Sequence, residues 1–134
     1  MTGSCHCSRV TVTLAEAPDY INLCDCSLCW KSGGAWGYFD ETEVRVTGET
    51  SAYRRVDKRE PAVRMRFCAR CGTTTHWQRT EHYSDGLTGV NMRIFTPTDI
   101  AGIEVRTLDG RNWQGDTIPG KRCATGLLGE NVFL

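Results

Sequence analysis

Seven of the eight cysteines in this 134-residue chain fall into three tight groups: Cys5-x-Cys7, Cys24-x-Cys26-x-x-Cys29 and Cys68-x-x-Cys71. Clustered spacings project sulfurs toward a common point, which suits a metal ion better than a dispersed disulfide framework does. The segment Met1 to Cys5 has neither the basic region nor the apolar run of a secretory signal, and reducing compartments rarely keep structural disulfides. The thiols therefore point to metal binding in the cytoplasm.

Cys5, Cys7, Cys68 and Cys71 match the four-sulfur count of a structural zinc. In Cys68-Ala69-Arg70-Cys71-Gly72 the glycine permits the positive φ that such a knuckle often needs. The alternative is four buried free thiols, since cysteine also packs as a small hydrophobe. The long gap between the halves means that the metal would pin the first strand to a hairpin in mid-chain. A structural zinc contributes on the order of 10 kcal/mol, against a net domain stability of about 5–15 kcal/mol.

Cys24, Cys26 and Cys29 offer three thiolates and no adjacent fourth. A zinc ion held by three protein groups keeps a position free for water or substrate, as catalytic sites do. His76, His82 and Cys123 are the distant groups that could instead close the site. The spacings do not match those usual for iron–sulfur clusters.

The scaffold reads as all-β. Val10, Val12 and Leu14 alternate with Arg9, Thr11 and Thr13, which predicts a strand over 4–14 with Cys5 and Cys7 on one face and His6 on the other. Further strands are expected over 20–23, 35–39, 44–47, 52–56, 63–67, 73–79, 88–95 and 105–108, separated by turn signals. One helical turn over 27–31 should end at Gly33-Gly34. The length fits one domain, residues 1–134. Sixteen basic residues balance sixteen acidic ones, so the overall charge gives no reason to expect nucleic acid or a membrane surface as partner. The apolar runs are too short to span a bilayer.

Gly3-Ser4-Cys5-His6-Cys7, Cys24-Asp25-Cys26-Ser27-Leu28-Cys29-Trp30-Lys31-Ser32-Gly33-Gly34-Ala35 and Phe67-Cys68-Ala69-Arg70-Cys71-Gly72-Thr73 together resemble the glutathione-dependent formaldehyde-activating enzyme family, which includes the centromere protein V branch. The resemblance is strong over residues 3–78 and fainter through 89–93 and 108–113. It implies stacked antiparallel sheets with zinc knuckles, a structural zinc on Cys5, Cys7, Cys68 and Cys71, and a second zinc on Cys24, Cys26 and Cys29. It also implies a carbon–sulfur lyase that joins glutathione to formaldehyde, with a small-molecule thiol and an aldehyde as partners. This chain resembles the short members.

Glutathione carries two carboxylates, so its pocket needs cations. Lys31, one turn past Cys29, is the best placed of them, and Trp30 and Trp36 could wall the pocket. Arg54, Arg55, Lys58, Arg59, Arg64 and Arg66 crowd one span but read as a solvated hairpin edge. His76 and Tyr38 are the proton-donor candidates. Two other readings remain: a non-catalytic zinc module binding a thiol or a protein partner, and a B-type methionine sulfoxide reductase with Cys123 as its reactive thiol.

Overall fold

The computed structural model describes residues 1–83 and 85–112, together with the backbone of 123–127. Its strands are β1 (Thr2–Ser4), β2 (Thr11–Leu14), β3 (Tyr20–Cys24), β4 (Ala35–Asp40), β5 (Val44–Thr47), β6 (Thr50–Arg54), β7 (Val63–Cys68), β8 (Thr74–Arg79), β9 (Leu87–Asn91), β10 (Glu104–Leu108) and β11 (Cys123–Leu127). One short helix, α1 (Ser27–Ser32), lies between β3 and β4. A three-stranded sheet runs β1-β2-β5, and an eight-stranded sheet runs β11-β10-β3-β4-β9-β8-β7-β6.

Alternation decides which face each strand buries. In β2, Val12 and Leu14 point inward while Thr13 stays exposed. They meet Ile21, Ala35, Val90 and Val105 from the middle of the large sheet, and Met92, Ile94, Phe95 and Ile100 complete this core. Burying each side chain of this size contributes roughly 1.5–3 kcal/mol. The opposite face of the large sheet is covered by a second cluster, Trp36, Met65 and Trp77, against which Cys24, Leu28, Cys29 and Tyr38 pack. The large sheet is thus buried on both faces at its centre, and α1 lies over the second face.

The fold class is the expected one, with differences in detail. The segment expected as one strand over 4–14 is broken between β1 and β2. Cys5 N–H donates to the Val10 carbonyl, and Ser8 adopts a φ of 58°. The two cysteines come together through this turn, rather than through strand alternation. The segment expected as a strand over 88–95 ends at Asn91 and continues as a single 3₁₀ turn over Met92–Ile94, capped by the Asn91 side chain. The pairing of β3 with β10 is parallel, the other pairings being antiparallel among the described residues. Parallel neighbours far apart in sequence leave no hairpin signal to read. On this side the edge strand is β6, and β7, which carries Arg64 and Arg66, is paired on both sides.

Candidate metal centre and pocket

The Cys5–Val10 turn and the β7–β8 turn face each other. Cys5 Sγ lies 3.6 Å from Cys7 Sγ, and Cys7 Sγ lies 3.7 Å from Cys68 Sγ. With Cys71, all four sulfurs lie within 4.8 Å of one another. Sulfurs bound tetrahedrally at about 2.3 Å lie about 3.8 Å apart, so this donor set fits one metal ion. The backbone is turned toward the sulfurs: Val10 N–H donates to Cys5 Sγ at 3.3 Å. Gly72 supplies the expected left-handed residue, with a φ of 73°. Cys5 and Cys68 are buried and His6 is exposed, so His6 is not among the sulfurs' neighbours.

The second group forms where β3 runs into α1. Cys24 closes the strand and Cys26 caps the helix, its sulfur accepting the Cys29 N–H at 3.5 Å. Cys29 follows one turn later, and Gly33 ends the helix in the left-handed region. The three sulfurs lie within 4.8 Å of one another, and among the described residues no histidine or carboxylate joins them. Left to themselves, three crowded thiols cannot all ionise. Hydrogen bonds from Cys24 and Cys29 pull Cys26 down to about 2, and the same hydrogen bond, with burial, pushes Cys24 up to about 11. A bound cation inverts this and lets all three ionise.

The trio is buttressed from three sides. Trp36, 1% exposed, donates its Nε1–H to Cys29 Sγ at 3.3 Å from beneath. Arg55 Nη1 donates to Cys26 Sγ at 3.9 Å. That guanidinium is itself fixed by two bonds to Asp57, at 2.7 and 2.6 Å, and by one to Ser27 Oγ at 3.3 Å. It holds the Asp57 carboxyl well below the usual range. On the third side the loop after β10 folds over β3. Arg111 N–H donates to Asp25 Oδ1 at 2.9 Å, and a Cβ on Gly110 would stand 2.1 Å from Cys24 Sγ. A Gly110→Ala substitution should therefore push Cys24 out of place. Metal content should fall by about one equivalent while the four-cysteine site keeps its ion, as elemental analysis per chain would read.

A pocket of about 500 Å³ opens at Cys26, lined by Asp25, Ser27, Trp30, Lys31, Arg55, Asp57, Lys58, Gly110 and Arg111. Four cations from three separate chain segments meet two carboxylates there. Asp57 is already paired with Arg55, and among the described residues no ion pair involves Lys31, Lys58 or Arg111. Its walls are therefore net positive.

This geometry accompanies clear similarity to known proteins. The family model for glutathione-dependent formaldehyde-activating enzymes matches residues 1–104. The chain belongs to that family. Within it, a Halomonas elongata protein whose name carries a provisional assignment as a glutathione-dependent formaldehyde-activating enzyme is 32% identical over 82 residues. That match covers 54% of this chain and 52% of the relative, so the chain spans about half the length of the curated protein it matches. A crystal structure of a Rhodobacter sphaeroides protein superposes with a TM-score of 0.60 at 27% identity, covering 78% of this chain and 99% of that one.

For this family member, the structure brings together all seven cysteines read from the spacing, in the two expected groups. Trp30, 78% exposed, and Lys31 line the pocket, whereas Trp36 backs the sulfurs and does not line it. Arg55 and Lys58 leave the hairpin-edge reading behind and reach the pocket wall. Arg54 pairs with Glu81 instead. His76 is directly opposite Val90, so it shares the face of the main core and lies on the other side of the sheet from the trio. Burial, helped by Arg66, pulls its pKa down to about 4. Tyr38 is on the trio's side, packed on the Trp36 cluster. The Cys123 side chain and residues 120–122 lie outside the described residues. The signal that reasoning from sequence missed is Asp57, the carboxylate two residues past Arg55 that locks it toward Cys26.

Proposed function

We propose that this chain is a zinc-dependent carbon–sulfur lyase that adds glutathione, or a similar anionic thiol, to formaldehyde or another small aldehyde. The observation that carries the reading is the juxtaposition of three sulfurs with no fourth described protein donor and a cationic pocket that opens on one of them. Cys5, Cys7, Cys68 and Cys71 would hold a structural zinc, and Cys24, Cys26 and Cys29 a second one. A zinc ion on the trio supplies Lewis acidity, which keeps a visiting thiol ionised below its ordinary pKa of about 8.5. The reaction needs free thiols, which fits a reducing cytoplasm.

The chain's own residues do the rest. With a dication held by Cys24, Cys26 and Cys29, the three thiolates would leave the site net negative. Arg55 donates to Cys26 Sγ and Trp36 to Cys29 Sγ, and these donors would lower the cost of that charge in a half-buried site. Lys31, Lys58 and Arg111 line the pocket where a peptide thiol's carboxylates would lie. Trp30 offers an exposed flat face for the peptide's methylenes.

Arg55→Gln tests this. A charge-assisted hydrogen bond contributes about 1.5–3 kcal/mol, so glutathione should bind roughly 10- to 100-fold more weakly by calorimetry, with both zinc ions retained. Unchanged affinity would remove Arg55 from the account. The function as a whole is tested by the rate at which glutathione and formaldehyde exchange with their adduct, read by exchange NMR against buffer alone. A rate no faster than buffer would leave a zinc module that binds thiols without catalysis.

A further inference from the structure

Positive walls attract any thiol that carries carboxylates. They do not by themselves distinguish one such thiol from another. The discrimination comes from the wall group of opposite sign that the protein leaves unneutralised.

Two carboxylates line the pocket, and one of them is committed. Arg55 holds Asp57 with two bonds, and Ser27 Oγ donates to the same carboxylate at 3.3 Å. Asp25 is different. It is half-buried and lies between Cys24 and Cys26 in the chain, so it reaches the pocket beside the sulfurs. Its Oδ1 accepts the Arg111 N–H at 2.9 Å, which fixes the direction of the carboxylate. Lys31, Arg55, Lys58 and Arg111 line the same pocket, yet among the described residues no cation forms an ion pair with Asp25.

The bond to Arg111 explains why position 25 carries a side-chain oxygen. It does not explain the charge, because the carbonyl of an asparagine would accept the same N–H. An unpaired negative charge in this pocket repels a purely anionic thiol and opposes the work of the lysines. It becomes favourable when the ligand brings a cation of its own. Selectivity commonly combines an attraction for one ligand with a repulsion for its near relatives. A primary ammonium suits this carboxylate, since it is a compact cation whose donors can meet an oxygen and water at once in an open pocket. The resulting charge-assisted hydrogen bond is roughly twice as strong as a neutral one.

We propose that Asp25 receives an ammonium group of the thiol ligand, so that the pocket selects a zwitterionic thiol, with an ammonium beside its carboxylates, over a purely anionic one. The assignment rests on the anionic-thiol reading of the pocket and narrows it to thiols that keep a free amino group.

The test uses the zinc-loaded full chain and two probes. One is glutathione. The other is glutaryl-cysteinyl-glycine, which is glutathione with hydrogen in place of the ammonium group. The wild-type chain should bind glutathione about tenfold more tightly by calorimetry. In Asp25→Asn the two affinities should part. Glutathione should bind about tenfold more weakly, while the deaminated thiol should bind as tightly as before or more tightly, with both zinc ions retained. An aspartate that only holds the Arg111 loop would weaken both thiols together. Equal wild-type affinities for the two thiols overturn the assignment, and so does an Asp25→Asn chain that keeps the wild-type preference or weakens both alike. Should that chain fail to fold, the wild-type comparison decides alone. A wild-type chain that binds neither thiol removes the functional reading first and this assignment with it.

Discussion

Replacing Cys26 with serine should remove about one zinc equivalent per chain and abolish the acceleration of adduct exchange over buffer, while leaving the fold intact. The sulfur of Cys26 does three things. It is one corner of the trio, it caps α1 by accepting the Cys29 N–H, and it faces the Arg55 guanidinium. Serine preserves the second role, because a hydroxyl is among the best helix N-caps. It cannot preserve the first, because an alcohol does not ionise near neutral pH and is a poor substitute for a soft thiolate ligand. The losses should therefore be confined to the metal and the chemistry. Metal analysis per chain, circular dichroism and adduct exchange measured on one preparation separate these effects. Full activity in the variant would end the mechanism.

Cys68→Ser should act in the opposite place, on stability. The four-cysteine site ties the turn between β1 and β2 to the turn between β7 and β8, across a long stretch of sequence. Cys5 and Cys68 are each 1% exposed, and among the described residues only Val10 joins them as a buried residue in that cluster, so little apolar packing holds the two turns together without the ion. Losing on the order of 10 kcal/mol from a net stability of about 5–15 kcal/mol leaves a chain that does not fold cooperatively at room temperature. Thermal melts followed by circular dichroism should show no sharp transition, and prolonged chelation of the wild-type chain should reproduce that result. A variant that melts cooperatively at the wild-type midpoint would show that the site is not structural.

The two sulfur groups were legible in the sequence because metal ligands leave a local, discrete spacing. So was Gly72, whose left-handed backbone follows from the tightness of its turn. The pattern of apolar residues between turn signals located β5 and β7 closely. The turn between Cys5 and Val10 was hidden by alternation, because a turn that buries Cys5, Val10 and Val12 has the apolar pattern of a strand. The parallel contact of β3 with β10 depends on residues more than eighty positions apart, for example Tyr20 with Glu104, and nothing local records it. The pocket was half legible. Lys31 is two residues past Cys29, whereas Arg55, Lys58 and Arg111 arrive from loops whose direction only the folded sheet determines. Asp25 gave no signal at all, because a carboxylate between two cysteines is informative only once the charges around it can be paired off.

The most direct test of the central claim is zinc X-ray absorption on the purified chain, with metal content determined on the same sample, before and after adding glutathione. The account predicts two zinc ions per chain, one for each sulfur group, and a rise in sulfur coordination when glutathione is added. A single zinc per chain, or two whose spectrum glutathione does not alter, would contradict it.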